Sequence, residues 1–217
     1  MIPNDGTIAT GGMHSFGAAS GMAQSNRALG TVASGTHALG FGFALRNNVT
    51  GTLITSITIS FNQENWRTPT TANNTLTAAW GTSATAGVTA SNYLTAAGMT
   101  PVPSLSMTLA FTASNTALDG NLPANQVPKT FTFSSLSLGL GERLFVRWQD
   151  ADDPGGNTND AGIGMDDLTL SFVVSVVPEA TAAALGAIAT GGAGLLWIVG
   201  RLLRRMKRTP SESTLTL

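Results

Sequence analysis

Cysteine is absent from all 217 residues. No disulfide can staple this chain, no thiolate can ligate a metal in it, and no thiol can serve as a nucleophile. Charge is nearly as scarce, since Asp, Glu, Lys and Arg make up 11% of the residues, against about 25% in an ordinary soluble domain. There is one tyrosine, and the only histidines, His14 and His37, are far apart. His37 falls in register with Leu39 and Phe41, which suits a hydrogen-bonded core histidine better than a catalytic one. No Gly-x-Ser-x-Gly elbow is present. A glycosidase needs two carboxylates about 5–10 Å apart across a cleft, and nothing in the spacing of Glu64 and Glu142 marks them as that pair. The chain reads as non-catalytic.

Basic residues are few over 1–176: six (Arg27, Arg46, Arg67, Lys129, Arg143, Arg147) stand against ten acidic ones, a net of 6 − 10 = −4. That balance excludes nucleic-acid binding by a basic face and suits solubility or cation binding.

What is abundant is alternation. Leu39, Phe41, Phe43 and Leu45 alternate with small or polar residues. So do Ile57, Ile59 and Phe61; Leu76, Ala78 and Trp80; Leu105, Met107, Leu109 and Phe111; Phe131 and Phe133; Leu144, Val146 and Trp148; and Leu168, Leu170 and Phe172. One or two further short strands fit between Gly12 and Val32, and Gly/Asn/Thr/Ser/Pro-rich turns separate the segments. No stretch of the body sustains a 3.6-residue period. The expected fold of residues 1–176 is therefore all-β, a two-sheet β-sandwich of jelly-roll type. Trp80 and Trp148 share parity with apolar neighbours and are expected in the core, which leaves Trp66 as the aromatic expected at the surface for sugar stacking.

The last pair of strands carries the candidate site. Asp150 shares parity with Leu144, Val146 and Trp148, and Asp166 with Leu168, Leu170 and Phe172. If the intervening loop closes a hairpin, both carboxylates meet at one end of one face, where like charges need compensation. Three readings stay open. The first is calcium, with Asp150, Asp152, Asp153, Asp160 and Asp166 as oxygen ligands, although the spacing is not that of an EF-hand. In the second, a buried arginine, Arg67 or Arg27, supplies the positive charge. In the third, the Asp side chains cap backbone amides in an acidic turn. Calcium is the one cofactor the sequence puts forward.

The C-terminal segment is of another kind. The run 180–200 has no charged residue, and at about 1.5 Å per residue a helix of that length reaches roughly 30 Å, the thickness of a bilayer's hydrocarbon core. Arg201, Arg204, Arg205, Lys207 and Arg208 follow it, and by the positive-inside rule they place the end of the chain in the cytoplasm. The expected organisation is an extracytoplasmic domain over 1–176, a sorting segment over 177–208 with its span at 180–200 and basic cluster at 201–208, and a cytoplasmic tail over 209–217. Along the span, Ala182, Gly186, Thr190 and Gly194 recur at every fourth position, a small-residue face of the sort that lets helices pack closely and that Gly/Ala-rich composition also yields by chance.

Val177-Pro178-Glu179-Ala180, this span and the terminal arginines together resemble the PEP-CTERM sorting signal of Gram-negative bacteria, with Ala180 in place of the usual second proline and a longer tail after the arginines. The resemblance implies an exosortase-type sorting enzyme as partner, with Val177, Pro178 and Glu179 as the sorting motif. It also implies a location in the cell envelope, with the N-terminal domain outside the cytoplasm, and release to the surface or matrix on processing. Residues 1–30 show neither a basic n-region nor an apolar h-region, so the expectation is that the natural start lies upstream. Gln63–Arg67, Phe145–Asp150 and Asp160–Leu168 further resemble a lectin-like jelly-roll module of exported bacterial proteins. That likeness brings no catalytic residues and implies an accessory or surface role, with polysaccharide as a candidate partner. Two function classes follow: a non-catalytic surface or matrix protein, and an accessory fragment of a secreted hydrolase.

Overall fold

The computed structural model describes residues 1–17, 26–33, 39–69, 73–110, 115–150, 161–177 and 214–216. Strand accounts for 57% of these and helix for 4%, and the strands form two sheets. In chain order they are β1 (Ile2–Asn4), β2 (Gly12–Phe16), β3 (Ala28–Val32), β4 (Leu39–Arg46), β5 (Thr52–Arg67), β6 (Asn74–Thr82), β7 (Thr100–Pro101), β8 (Met107–Leu109), β9 (Gln126–Phe133), β10 (Arg143–Asp150), β11 (Gly162–Val176) and β12 (Thr214–Thr216).

The first sheet has the order β1-β2-β3-β11-β5-β9, and the second β4-β10-β6-β7, with β8 also paired to β6. Strands next to each other in sequence mostly belong to different sheets. From β3 to β6 and again from β8 to β11 the chain crosses the sandwich at every step. β12 pairs antiparallel with Ser171–Val173 of β11. No helix among the described residues is long and apolar enough to cross a membrane, and the run 180–200 lies outside them.

The alternating segments become strands because each has one face of bulky apolar side chains to bury. Ile57, Ile59 and Phe61 of β5 meet Leu76 and Ala78 of β6 and Leu144, Val146 and Trp148 of β10 between the sheets. Trp148 is fully buried at the centre, stacked on Phe41 at 5.7 Å and edge-on to Phe61 at 5.5 Å, and its indole N–H donates to the carbonyl of Leu105 at 2.8 Å. The expected segment through Leu105 is shorter than the alternation suggests. Pro103–Leu105 is a 3-10 turn, and the strand is Met107–Leu109.

Each sheet also has a covered outer face. On the second sheet, segment 83–99 lies over β10. The buried guanidinium of Arg147 donates to the carbonyls of Tyr93 at 3.0 Å and Ala96 at 2.8 Å, and Phe145 stacks on Tyr93 at 5.5 Å. On the first sheet, Phe16, Ala28, Val32 and Trp66 form a separate apolar cluster. Gly164 leaves room for it, since a Cβ there would sit 2.7 Å from the Cβ of Ala28 and 3.3 Å from the Phe16 ring.

Candidate functional site

The hairpin expected between Asp150 and Asp166 does not form. β10 pairs with β4 and β6, whereas β11 pairs with β3 and β5, so the chain between them crosses from one sheet to the other. Asp150 does point inward, as its parity requires, and is 1% exposed. The Asn74 side-chain amide donates to its Oδ1 at 3.4 Å.

Asp166 points the other way. It lies opposite Asn62, while Thr169 lies opposite Ser60, so β11 carries one extra residue across that step. Such a bulge inverts the facing of everything beyond it. Leu170 and Phe172 therefore face the core opposite Ile59 and Ile57, while Asp166 shares the outer face with Asn62 and Glu64. Leu168, expected inside, is 42% exposed. The shared-face argument for a calcium ion or a buried arginine between Asp150 and Asp166 loses its basis.

Arg67 instead donates to the carbonyls of Gly6 at 2.9 Å and Thr7 at 3.3 Å, and Arg27 to the hydroxyl and carbonyl of Ser15. Asp152, Asp153 and Asp160 lie outside the described residues. Among the described residues no group of three or more His, Asp or Glu side chains is placed to hold a metal. Of the sorting motif, Val177 is described, its N–H donating to the carbonyl of Gly51 at 2.8 Å. Pro178, Glu179, Arg201, Arg204, Arg205, Lys207 and Arg208 lie outside the described residues, as does His37.

Polar chemistry concentrates at the far end of β5. Glu64 is 1% exposed. Its Oε2 accepts from the indole N–H of Trp66 at 3.0 Å and its Oε1 from the side-chain amide of Gln126 at 3.1 Å. Burial, followed by the charge of Asp166, raises its pKa from 4.5 to about 7, against the lowering effect of those two hydrogen bonds. Asp166 is itself pushed up, first by burial and then by the charge of Asp167, while the Asp167 N–H at 2.8 Å pulls the other way. The sequence carries a faint sign of this cluster: the polar run Gln63–Arg67 continues β5 beyond its last core aromatic, Phe61, and only another layer over that face can bury it.

Trp66 corrects the expectation of an exposed platform, being 2% exposed. It stacks nearly parallel on Phe16 with centroids 5.6 Å apart, and Gly120 packs closely against its ring. One part of it borders a solvent-open cleft of about 360 Å³, lined by Asp5, Gly17, Trp66, Ala117, Leu118, Asp119 and Asn121. The cleft falls within the usual size range of small-ligand pockets. Its carboxylates are locally held: Asp5 accepts from the N–H and hydroxyl of Thr7, and Asp119 from the N–H of Asn121 at 3.0 Å. This lining supplies hydrogen-bond acceptors, and no residue in it has the surroundings of an activated nucleophile.

The two glutamates lie far apart. Glu142 lies at the opposite end, where its carbonyl accepts from the N–H of Asn47, whose side chain donates to the carbonyl of Thr52 at the start of β5. From Thr52 to Glu64 the strand advances roughly 40 Å at about 3.3 Å per residue, so the two cannot form a glycosidase pair. His14 is a satisfied interior histidine. Its Nδ1 meets the Asn4 amide at 3.1 Å and its Nε2 the Thr10 carbonyl at 2.9 Å, an arrangement that suits the neutral ring.

Comparison with protein-family models and with curated proteins finds no match to this chain.

Proposed function

We propose that this chain is a non-catalytic exported surface or matrix protein. In this reading its body is a jelly roll that presents a saccharide-binding cleft, and its C-terminal segment is a PEP-CTERM-like sorting signal and membrane span recognised by an exosortase-type enzyme. The observation that carries the binding part is the cleft beside Trp66. It offers the Asp5 and Asp119 carboxylates and the Asn121 amide, a set of hydrogen-bonding groups that matches the hydroxyls of a sugar. The jelly-roll reading is supported by strand order: β3-β11-β5-β9 facing β4-β10-β6-β8 is the pattern of two interlocked Greek keys.

The anchoring part rests on the uncharged run 180–200 and the five basic residues after it. It competes with the pairing of Thr214–Thr216 to β11, since a tail in the cytoplasm cannot extend a sheet outside it. An epitope appended after Leu217 in cells tests this. Anchoring predicts that the epitope is shielded from external protease while the body is cleaved, and an epitope cleaved together with the body refutes it.

Glycan-array binding by the detergent-solubilised full chain tests the cleft. Binding lost in Asp5→Ala/Asp119→Ala, in protein whose cooperative thermal unfolding shows that it remains folded, is the expected result. Binding that survives in the double variant would place the ligand elsewhere.

A further inference from the structure

The end of the sandwich from which the chain departs toward 180–200 exposes four apolar side chains beside two arginines. Two loops, the one from β4 to β5 and the one from β9 to β10, meet there through Asn47, which is 3% exposed, and the Val177 N–H donates to the Gly51 carbonyl of the first. Its side-chain amide donates to the carbonyls of Thr52 at 3.1 Å and Leu138 at 2.9 Å, and its Oδ1 accepts from the N–H of Val49 at 3.0 Å. The Gly141 N–H donates to the Asn47 carbonyl at 2.7 Å.

These loops and the end of β11 nevertheless present apolar side chains to water: Val49 is 60% exposed, Leu140 58%, Val176 76% and Val177 42%. Arg46 and Arg143, directly opposite each other on β4 and β10, add two cations at the same end. Among the described residues, the glutamate at this end is Glu142, whose carboxylate accepts from the N–H of Gly139. The acidic side chains Asp5, Glu64, Asp119 and Asp150 gather at the other end, roughly 40 Å away along β5. The rim thus combines exposed apolar tips with Arg46 and Arg143, whereas the arginines of the cleft end, Arg27 and Arg67, are bound to Ser15 and to the carbonyls of Gly6 and Thr7.

We infer that this rim, Val49, Leu140, Val176 and Val177 with Arg46 and Arg143, is a membrane-docking surface whose occupant is the headgroup layer of an anionic phospholipid bilayer. The inference rests on the reading of 180–200 as a span. Val177 is three residues before Ala180, a reach of at most about 10 Å when extended. The headgroup layer on one side of a bilayer is about 5–8 Å thick. A span beginning at Ala180 therefore holds the rim at that depth, where valine and leucine tips enter the interface and arginines meet lipid phosphates. The cleft beside Trp66 then faces outward, far from the lipid.

The native chain lacks cysteine, so Val49→Cys, Leu140→Cys and, at the opposite end, Leu122→Cys each allow a single fluorophore on the full-length protein. Each is reconstituted into phosphatidylethanolamine vesicles containing phosphatidylglycerol and lipids with a quencher near the headgroup. The expected result is several-fold stronger quenching at positions 49 and 140 than at 122, weakened when phosphatidylglycerol is replaced by phosphatidylcholine or in Arg46→Gln/Arg143→Gln. Incorporation into vesicles with equal quenching at all three positions overturns the docking surface and leaves the span intact. Failure to incorporate at all overturns the span and this inference with it.

Discussion

The indole N–H of Trp66 donates to the carboxylate of Glu64 at 3.0 Å, both side chains lying beneath the surface on the outer side of the first sheet. One bond thus links the tryptophan that borders the cleft to a carboxyl group whose pKa is raised to about 7.

That carboxyl makes stability depend on pH in a stated direction. Its folded pKa of about 7 exceeds its ordinary value of 4.5, so the folded protein binds the proton more tightly. The stabilisation this brings is complete below about 4.5 and is lost as pH rises through about 7. Glu64→Gln, which keeps an acceptor for Trp66 while Gln126 reverses its amide, should raise stability at pH 8 by about 2 kcal/mol and leave it little changed at pH 4.5. Urea titrations at both pH values read this. An equal effect at the two would mean that the charge of Glu64 is not penalised.

His14 supplies an opposing slope. Burial holds its pKa below 6.5, ahead of the raising effect of the Thr10 carbonyl. Its contribution is full above 6.5 and falls as pH drops below it. His14→Gln should flatten the acid limb of the Tm profile below pH 6.5 even where it lowers Tm throughout.

The bulge in β11 depends on Asp167, whose φ of 53° lies in the left-handed region. Its Oδ2 also accepts from the Asn62 amide at 3.0 Å. Asp167→Val should cost about 2 kcal/mol, because a β-branched residue is strained there. Asp167→Gly, relieved of that strain, should cost less than half as much. If valine and glycine prove equivalent in chemical denaturation, the bulge does not need a left-handed residue.

Gly120 touches the ring of Trp66 so closely that a Cβ would lie 2.4 Å from its atoms. Gly120→Ala should force the turn away from the indole at a cost of about 1–3 kcal/mol, shift tryptophan emission to the red and weaken ligand binding in the cleft. Unchanged emission with full stability would show that the turn yields freely.

Arg147 holds segment 83–99 by donating to two carbonyls. Arg147→Met should cost about 2–3 kcal/mol and open that segment locally before the body unfolds. Limited proteolysis should then cut first between residues 83 and 99, whereas the wild type resists there.

The sequence by itself determined the strand content, the apolar face of nearly every strand, the burial of Trp148 and the inward direction of Asp150, because each follows from a period of two read over a few neighbouring residues. It also set out the charge order of the C-terminal segment, where length and composition carry the whole argument. Tertiary structure alone decided which strands became neighbours, and so turned the expected hairpin between β10 and β11 into a crossing between sheets. One inserted residue near Asp167 inverted the facing of Asp166, a change that local alternation cannot register because the partner that defines it, β5, is about a hundred residues away in sequence. Trp66 was buried for the same kind of reason. Its parity indicated the outer face correctly, but Phe16 and the turn at Gly120, which cover it, come from distant parts of the chain.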